Sequence, residues 1–151
     1  MNNDEVISTL NNLIATCRDG QEGFKTAAEG IQNSGLKSLF YEFSQQRAGF
    51  LGTLQYEVQR LGGDPENTGS VAAVLHRGWI NIKSIVTGSD DLAIINECER
   101  GEDSAVEQYQ QAISANLPAP IAELVSGQYV QVKAAHDRIR DMKHSMSKAA
   151  A

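Results

Sequence analysis

Apolar residues return every three or four positions along almost the whole chain, the spacing of one buried helical face. Val6, Leu10, Leu13, Cys17, Phe24, Ala27 and Ile31 form the first such stripe. It predicts a helix that starts after Asn3 as N-cap, with Asp4 and Glu5 in its first turn, and ends at Asn33-Ser34-Gly35. A second stripe (Leu36, Leu39, Phe40, Phe43, Phe50, Leu54, Val58 and Leu61) predicts a helix stopped by Gly62-Gly63-Asp64-Pro65. A shorter helix is predicted over residues 70–87, closed by Gly88. Ser89 reads as the N-cap of a fourth helix that has Asp90 and Asp91 in its first turn and reaches Asn116. Leu117-Pro118-Ala119-Pro120 breaks the chain, and a fifth helix follows to Lys148. No segment alternates with the period of a strand.

The four long helices are of similar length. Short turns join the first to the second and the fourth to the fifth, so each pair should fold as an antiparallel hairpin. The long stretch between the hairpins can carry the chain back along the bundle. The fold class expected is therefore all-α: two antiparallel helix hairpins joined by a long crossover that carries a short fifth helix, the connectivity of ferritin-like four-helix bundles. One domain over residues 1–148 accounts for the pattern, with 149–151 as a frayed tail.

Sorting each helix at about 100° per residue shows which polar groups share the apolar side. Gln21 lies within the first stripe, while Asp19 and Glu22 fall opposite. Arg47 lies in the middle of the second. In the fourth helix Glu102 is central and Glu99 sits on the shoulder, with Glu97, Asp103 and Glu107 directed outward. In the fifth helix Gln128 is inside and His136 is on the shoulder. Folding both hairpins at their turns brings these residues to one height. The sequence thus predicts a central polar layer of Gln21, Arg47, Glu102 and Gln128 flanked by Glu99 and His136. Arginine cannot shed its charge, and an unpaired buried charge is very costly. Glu102 is the inward acid at the matching height, so an Arg47–Glu102 ion pair is expected.

Charge and composition narrow the functions. A net charge of −6 argues against nucleic acid or an anionic membrane as main partner. The basic run from Lys133 to Lys148 reads as a favourable charge bias at a helix C-terminus. The opening MNNDEVISTL carries neither a positive region nor an apolar run, and no apolar stretch is long enough to span a bilayer, so the expected location is cytoplasmic. Cys17 and Cys98 are isolated in sequence and face inward, which reads as buried thiols. No phosphate-loop spacing or supported nucleophile–histidine set is present. Trp79, on the apolar side of the crossover, reads as its anchor to the bundle. His76, Arg77 and Trp79 together form the alternative candidate, a partner-binding surface.

Five stretches carry a family resemblance: LIATCRDGQEGF (Leu13 to Phe24), SQQRAGF (Ser44 to Phe50), GSVAAVLHRGW (Gly69 to Trp79), ECERGED (Glu97 to Asp103) and AAHDRIR (Ala134 to Arg140). In this order they resemble a bacterial family of unknown function classed with the ferritin-like four-helix bundles. The resemblance implies that fold and no particular activity. Di-iron members of the wider superfamily draw a Glu from each of two helices and Glu-x-x-His from the other two. Here the first helix offers Gln21, the second Arg47, and the fifth Lys133-x-x-His136. Only Glu99, Glu102 and His136 remain as candidate ligands, for a single iron, manganese or zinc ion.

Two readings follow. In the first, the chain is a non-enzymatic, stress-associated bundle without a cofactor, acting through its surfaces as a homo-oligomer or on another protein. In the second, it is a metal-binding or oxidoreductase-type protein with a reduced site at Glu99, Glu102 and His136.

Overall fold

The computed structural model describes residues 1–65, 78–88 and 90–150. Five helices appear among them: α1 (Asn3–Gly30), α2 (Ser34–Arg60), α3 (Ile82–Gly88), α4 (Asp91–Ile113) and α5 (Ala119–Ala150). The N-caps are set one residue from the expected positions. Asn2, not Asn3, caps α1 by accepting from the Glu5 N–H. Asp90, not Ser89, caps α4 by accepting from the Ala93 N–H; Ser89 itself lies outside the described residues. In each case the side chain that satisfies an orphan amide is the extended residue just before the helix.

The turns have local causes. α2 ends where Gly62 adopts φ +86°, a conformation that costs glycine nothing, and the Gly63 N–H reaches the Val58 carbonyl at 2.9 Å. Between α1 and α2, Asn33 caps the Leu36 N–H, and Lys37 Nζ donates to the Ala28 carbonyl at 2.6 Å, where α1 has no basic residue in its last turn. The Asp91 carboxylate accepts from the Gln32 and Asn33 N–H groups at 2.9 and 3.0 Å, tying the first hairpin to the start of α4.

Cross-helix contacts fix the directions. Ser44 donates to the Gln21 carbonyl across α1–α2. His136 meets Asp103 and Lys143 meets Glu99 across α4–α5, one number rising as the other falls. Cys17 meets Tyr109 while Gln32 meets Asp91, so α1 and α4 are also antiparallel. α2 and α4 consequently run the same way, and the segment between them must return the chain along the bundle. This is the ferritin-like arrangement.

The core is divided lengthwise. One apolar cluster, around Phe24, Phe40, Phe43, Ile95 and Ile139, fills the end that holds the α1–α2 turn. A second, around Leu10, Leu13, Leu54, Val125 and Val132, fills the other. Trp79 belongs to the first cluster. It lies in a turn just before α3, rather than inside the longer helix expected over 70–87, and residues 70–77 of that expectation are outside the described ones. Its indole is wedged between α1 and α4 at two glycines, Gly23 and Gly101, where a Cβ on either would overlap the ring. The Phe24 ring meets it edge-on at 5.0 Å.

Candidate functional site: a buried ion pair between two apolar clusters

Between the two clusters lies a polar layer. Arg47, from α2, and Glu102, from α4, are 1% and 0% exposed. Arg47 Nη1 donates to Glu102 Oε1 and Nη2 to Oε2, both at 2.6 Å, in a two-pronged pair that matches the guanidinium fork to the carboxylate. The remaining Nε donates to Gln46 Oε1 at 3.2 Å. The guanidinium carbon stands 5.5 Å from the centre of the Phe24 ring, within cation–π range. Gly20 makes room for it: a Cβ there would stand 3.2 Å from Nη1 and 3.3 Å from Cγ. Burial alone would lower the Arg47 pKa, but the carboxylate of Glu102 more than offsets it and raises the value. The guanidinium therefore stays charged.

A second chain of polar groups runs beside the pair. Tyr109 is fully buried and donates its hydroxyl to Gln128 Oε1 at 2.7 Å. With that proton committed, the Cys17 thiol 3.1 Å away is the donor to the tyrosine oxygen. Gln128 Nε2 ends the chain at the Phe50 carbonyl, 3.5 Å away. Burial pushes the Cys17 thiol up to about 11 and raises Tyr109 well above its usual value, so both stay protonated at neutral pH. Burial raises Cys98 in the same way. None of these groups has the thiolate character that reactive cysteines need.

The expected site residues separate into two groups. Arg47, Glu102 and Gln128 lie in the layer. Gln21 does not: it is half-buried, its contribution is a backbone carbonyl to Ser44, and Gly20 holds the inward position beside Arg47. Glu99 and His136 do not converge on Glu102 either. Glu99 accepts from Lys143 at 2.8 Å on the α4–α5 seam. The His136 ring bridges that seam, with Nε2 2.6 Å from Asp103 Oδ1 and Nδ1 3.0 Å from Asp137 Oδ1. Among the described residues no group of three or more His, Cys, Asp or Glu could hold a metal ion. A di-iron or single-metal centre does not fit the layer itself, because both oxygens of Glu102 are taken by a cation that cannot be deprotonated.

Two acids contradict the simple wheel. Asp19 and Glu97, expected outward, are 8% and 1% exposed. The reason is Trp79 and the turn around it, which cover the groove between α1 and α4. Glu97 Oε2 accepts from the Asn81 N–H at 2.9 Å in that turn, and Arg100 approaches its other oxygen at 3.3 Å. Trp79 is 7% exposed and packs into the bundle as its anchor; His76 and Arg77, the other residues of the candidate partner surface, lie outside the described residues. Tyr109 is the layer member that sequence reasoning missed. Its signal was its place seven residues after Glu102, two turns along the same stripe.

The model of the family described as Domain of unknown function (DUF2383) matches residues 5–115, most of the chain. The chain belongs to this family. The matched span holds Arg47, Glu102 and Tyr109, whereas Gln128 and His136 lie beyond it. No curated protein matches the chain. Among solved structures, a two-domain protein from Anabaena variabilis containing DJ-1/ThiJ/PfpI-like and ferritin-like domains superposes with a TM-score of 0.79 at 17% identity. The match covers 97% of this chain and 41% of that one. At this identity the likeness establishes the fold alone: this member of the family is a ferritin-like bundle. Among the described residues no helix is long and apolar enough to cross a membrane.

Proposed function

We propose that this chain is a non-enzymatic ferritin-like bundle in which the Arg47–Glu102 pair replaces a di-iron centre, and which works through its surfaces and assembly. The observation that carries this reading is the two-pronged pair, at 0–1% exposure, at the height where inward ligands would converge. A guanidinium in that place repels a dication and occupies the carboxylate that would bind one. A stress-associated setting belongs to the same reading. The test is metal content after purification without chelator, followed by titration with Fe²⁺, Mn²⁺ and Zn²⁺ under anaerobic conditions. The expected outcome is no stoichiometric metal and no thermal shift. Stoichiometric metal that disappears in Glu102→Ala would overturn the reading.

A further inference from the structure

The end of the bundle that holds the α1–α2 turn carries an open groove between the start of α2 and the last turns of α5. Its volume is about 490 Å³, within the roughly 300–1,000 Å³ of small-molecule sites. Leu36 and Leu39 of α2 and Met142 and Met146 of α5 supply its apolar lining, and Arg138 and Ser145 its polar edge. Leu36 and Leu39 are already core residues, so the floor of the groove is firm. The two methionines are only partly buried, and their unbranched thioethers can adapt to an occupant.

The charge around the groove selects the kind of occupant. Arg138 is exposed and has no ion-pair or hydrogen-bond partner among the described residues. Its neighbours on α5 are engaged: Arg140 lies 3.6 and 3.5 Å from Asp137 and Asp141, and Lys143 pairs with Glu99. Asp141 also lines the groove, but it is turned to Arg140 and stands 72% exposed. The facing end of α2 has no acid in its first turn, unlike α1 and α4, and its Gly35 lines the groove. The free guanidinium therefore borders the apolar trough across from the start of α2, where Asp91 already accepts from the Gln32 and Asn33 N–H groups.

We propose that this groove binds a free medium-chain carboxylate, the aliphatic tail lying between the leucines and methionines and the head group paired with Arg138. An aliphatic chain matches the lining, and the fork of Arg138 matches a carboxylate. No covalent step is involved.

The chain has three methionines, Met1 and the two in the groove, so methyl-labelled methionine gives a spectrum of three signals with its own control. Titration of the full chain with decanoate should shift Met142 and Met146 saturably and leave Met1 in place. Arg138→Glu, a surface change that should leave the unfolding curve intact, should weaken decanoate by about tenfold or more. Uncharged decanol should bind both proteins equally and more weakly. The proposal is overturned if decanoate moves no groove methyl, or if Arg138→Glu binds it as well as the parent. It is also overturned if the shifts appear on raising protein concentration alone, which would place a second copy in the groove. The same holds if only phosphatidylglycerol vesicles, and not decanoate, produce them.

Discussion

Replacing Arg47 by methionine isolates the energetics of the polar layer. Methionine keeps most of the aliphatic stem against Gly20 and Phe24 and removes only the fork. Glu102 then sits at 0% exposure with two oxygens that have lost their donors among the described residues. Breaking one side of a buried ion pair costs about 3–5 kcal/mol, because the remaining charge stays stranded in a poorly polarisable interior. Against a total stability of about 5–15 kcal/mol, that is a large fraction. Glu102→Leu should cost a similar amount by stranding the guanidinium. The double variant Arg47→Met/Glu102→Leu strands nothing, so it should lie near the parent or up to about 4 kcal/mol above it. The assay is urea unfolding of all four proteins by circular dichroism, read as a double-mutant cycle. A double variant whose loss equals the sum of the two singles would refute the reasoning, since it would mean that each residue stabilises independently of the other.

Three further outcomes follow from the same geometry. Gly101→Ala and Gly23→Ala should each displace the Trp79 indole, costing about 1–3 kcal/mol by overpacking and red-shifting the emission of the chain's single tryptophan; unchanged emission would mean that the wedge is absent in solution. Tyr109→Phe leaves Gln128 Oε1 and the Cys17 thiol without their shared partner and should cost about 1–3 kcal/mol in urea unfolding, whereas Tyr129→Phe, at an exposed contact with Gln110, should be nearly neutral. Burial works to lower the His136 pKa, but its bonds to Asp137 and Asp103 raise it, so its contribution is complete below the unfolded value of about 6.5 and fades as pH rises through the folded one. Asp137 is held down to about 2, chiefly by Lys133 and His136, so its share is present above the unfolded value of about 3.9 and fades as pH falls toward 2. The unfolding temperature of the parent should therefore fall relative to His136→Gln between mildly acidic and mildly alkaline pH; parallel curves would show that the bridge adds no stability.

The long helices were legible because their stripes are uninterrupted and their ends are marked by Asn, Asp, Gly and Pro. The ion pair was legible for a different reason. A residue that cannot neutralise itself, placed mid-stripe, demands a partner, and only one acid lay on a facing stripe at the same height. Asp19 and Glu97 were misplaced because a wheel assigns each helix one buried side. α1 and α4 have a second covered side, created by the turn around Trp79, and nothing in the spacing of either helix announces it. His136 and Glu99 sat on shoulders, where the wheel leaves the direction open. Asp103 and Lys143 then drew them to the α4–α5 seam. Gln21 lost its inward place to a neighbour without a side chain, because a guanidinium fills the space that a glutamine would need.

The division of the core into two apolar halves has a consequence for alignment. Leucine, isoleucine and phenylalanine are interchangeable partners, so hairpins joined by such contacts alone could slide one helical turn past each other with little penalty. Arg47 and Glu102 remove that freedom. A one-turn slip, about 5.4 Å, would pull the fork from its carboxylate and leave two opposite charges each facing hydrocarbon. A single pair, near the middle of the rod, thus acts as the tooth of a ratchet that gives the two hairpins one axial position.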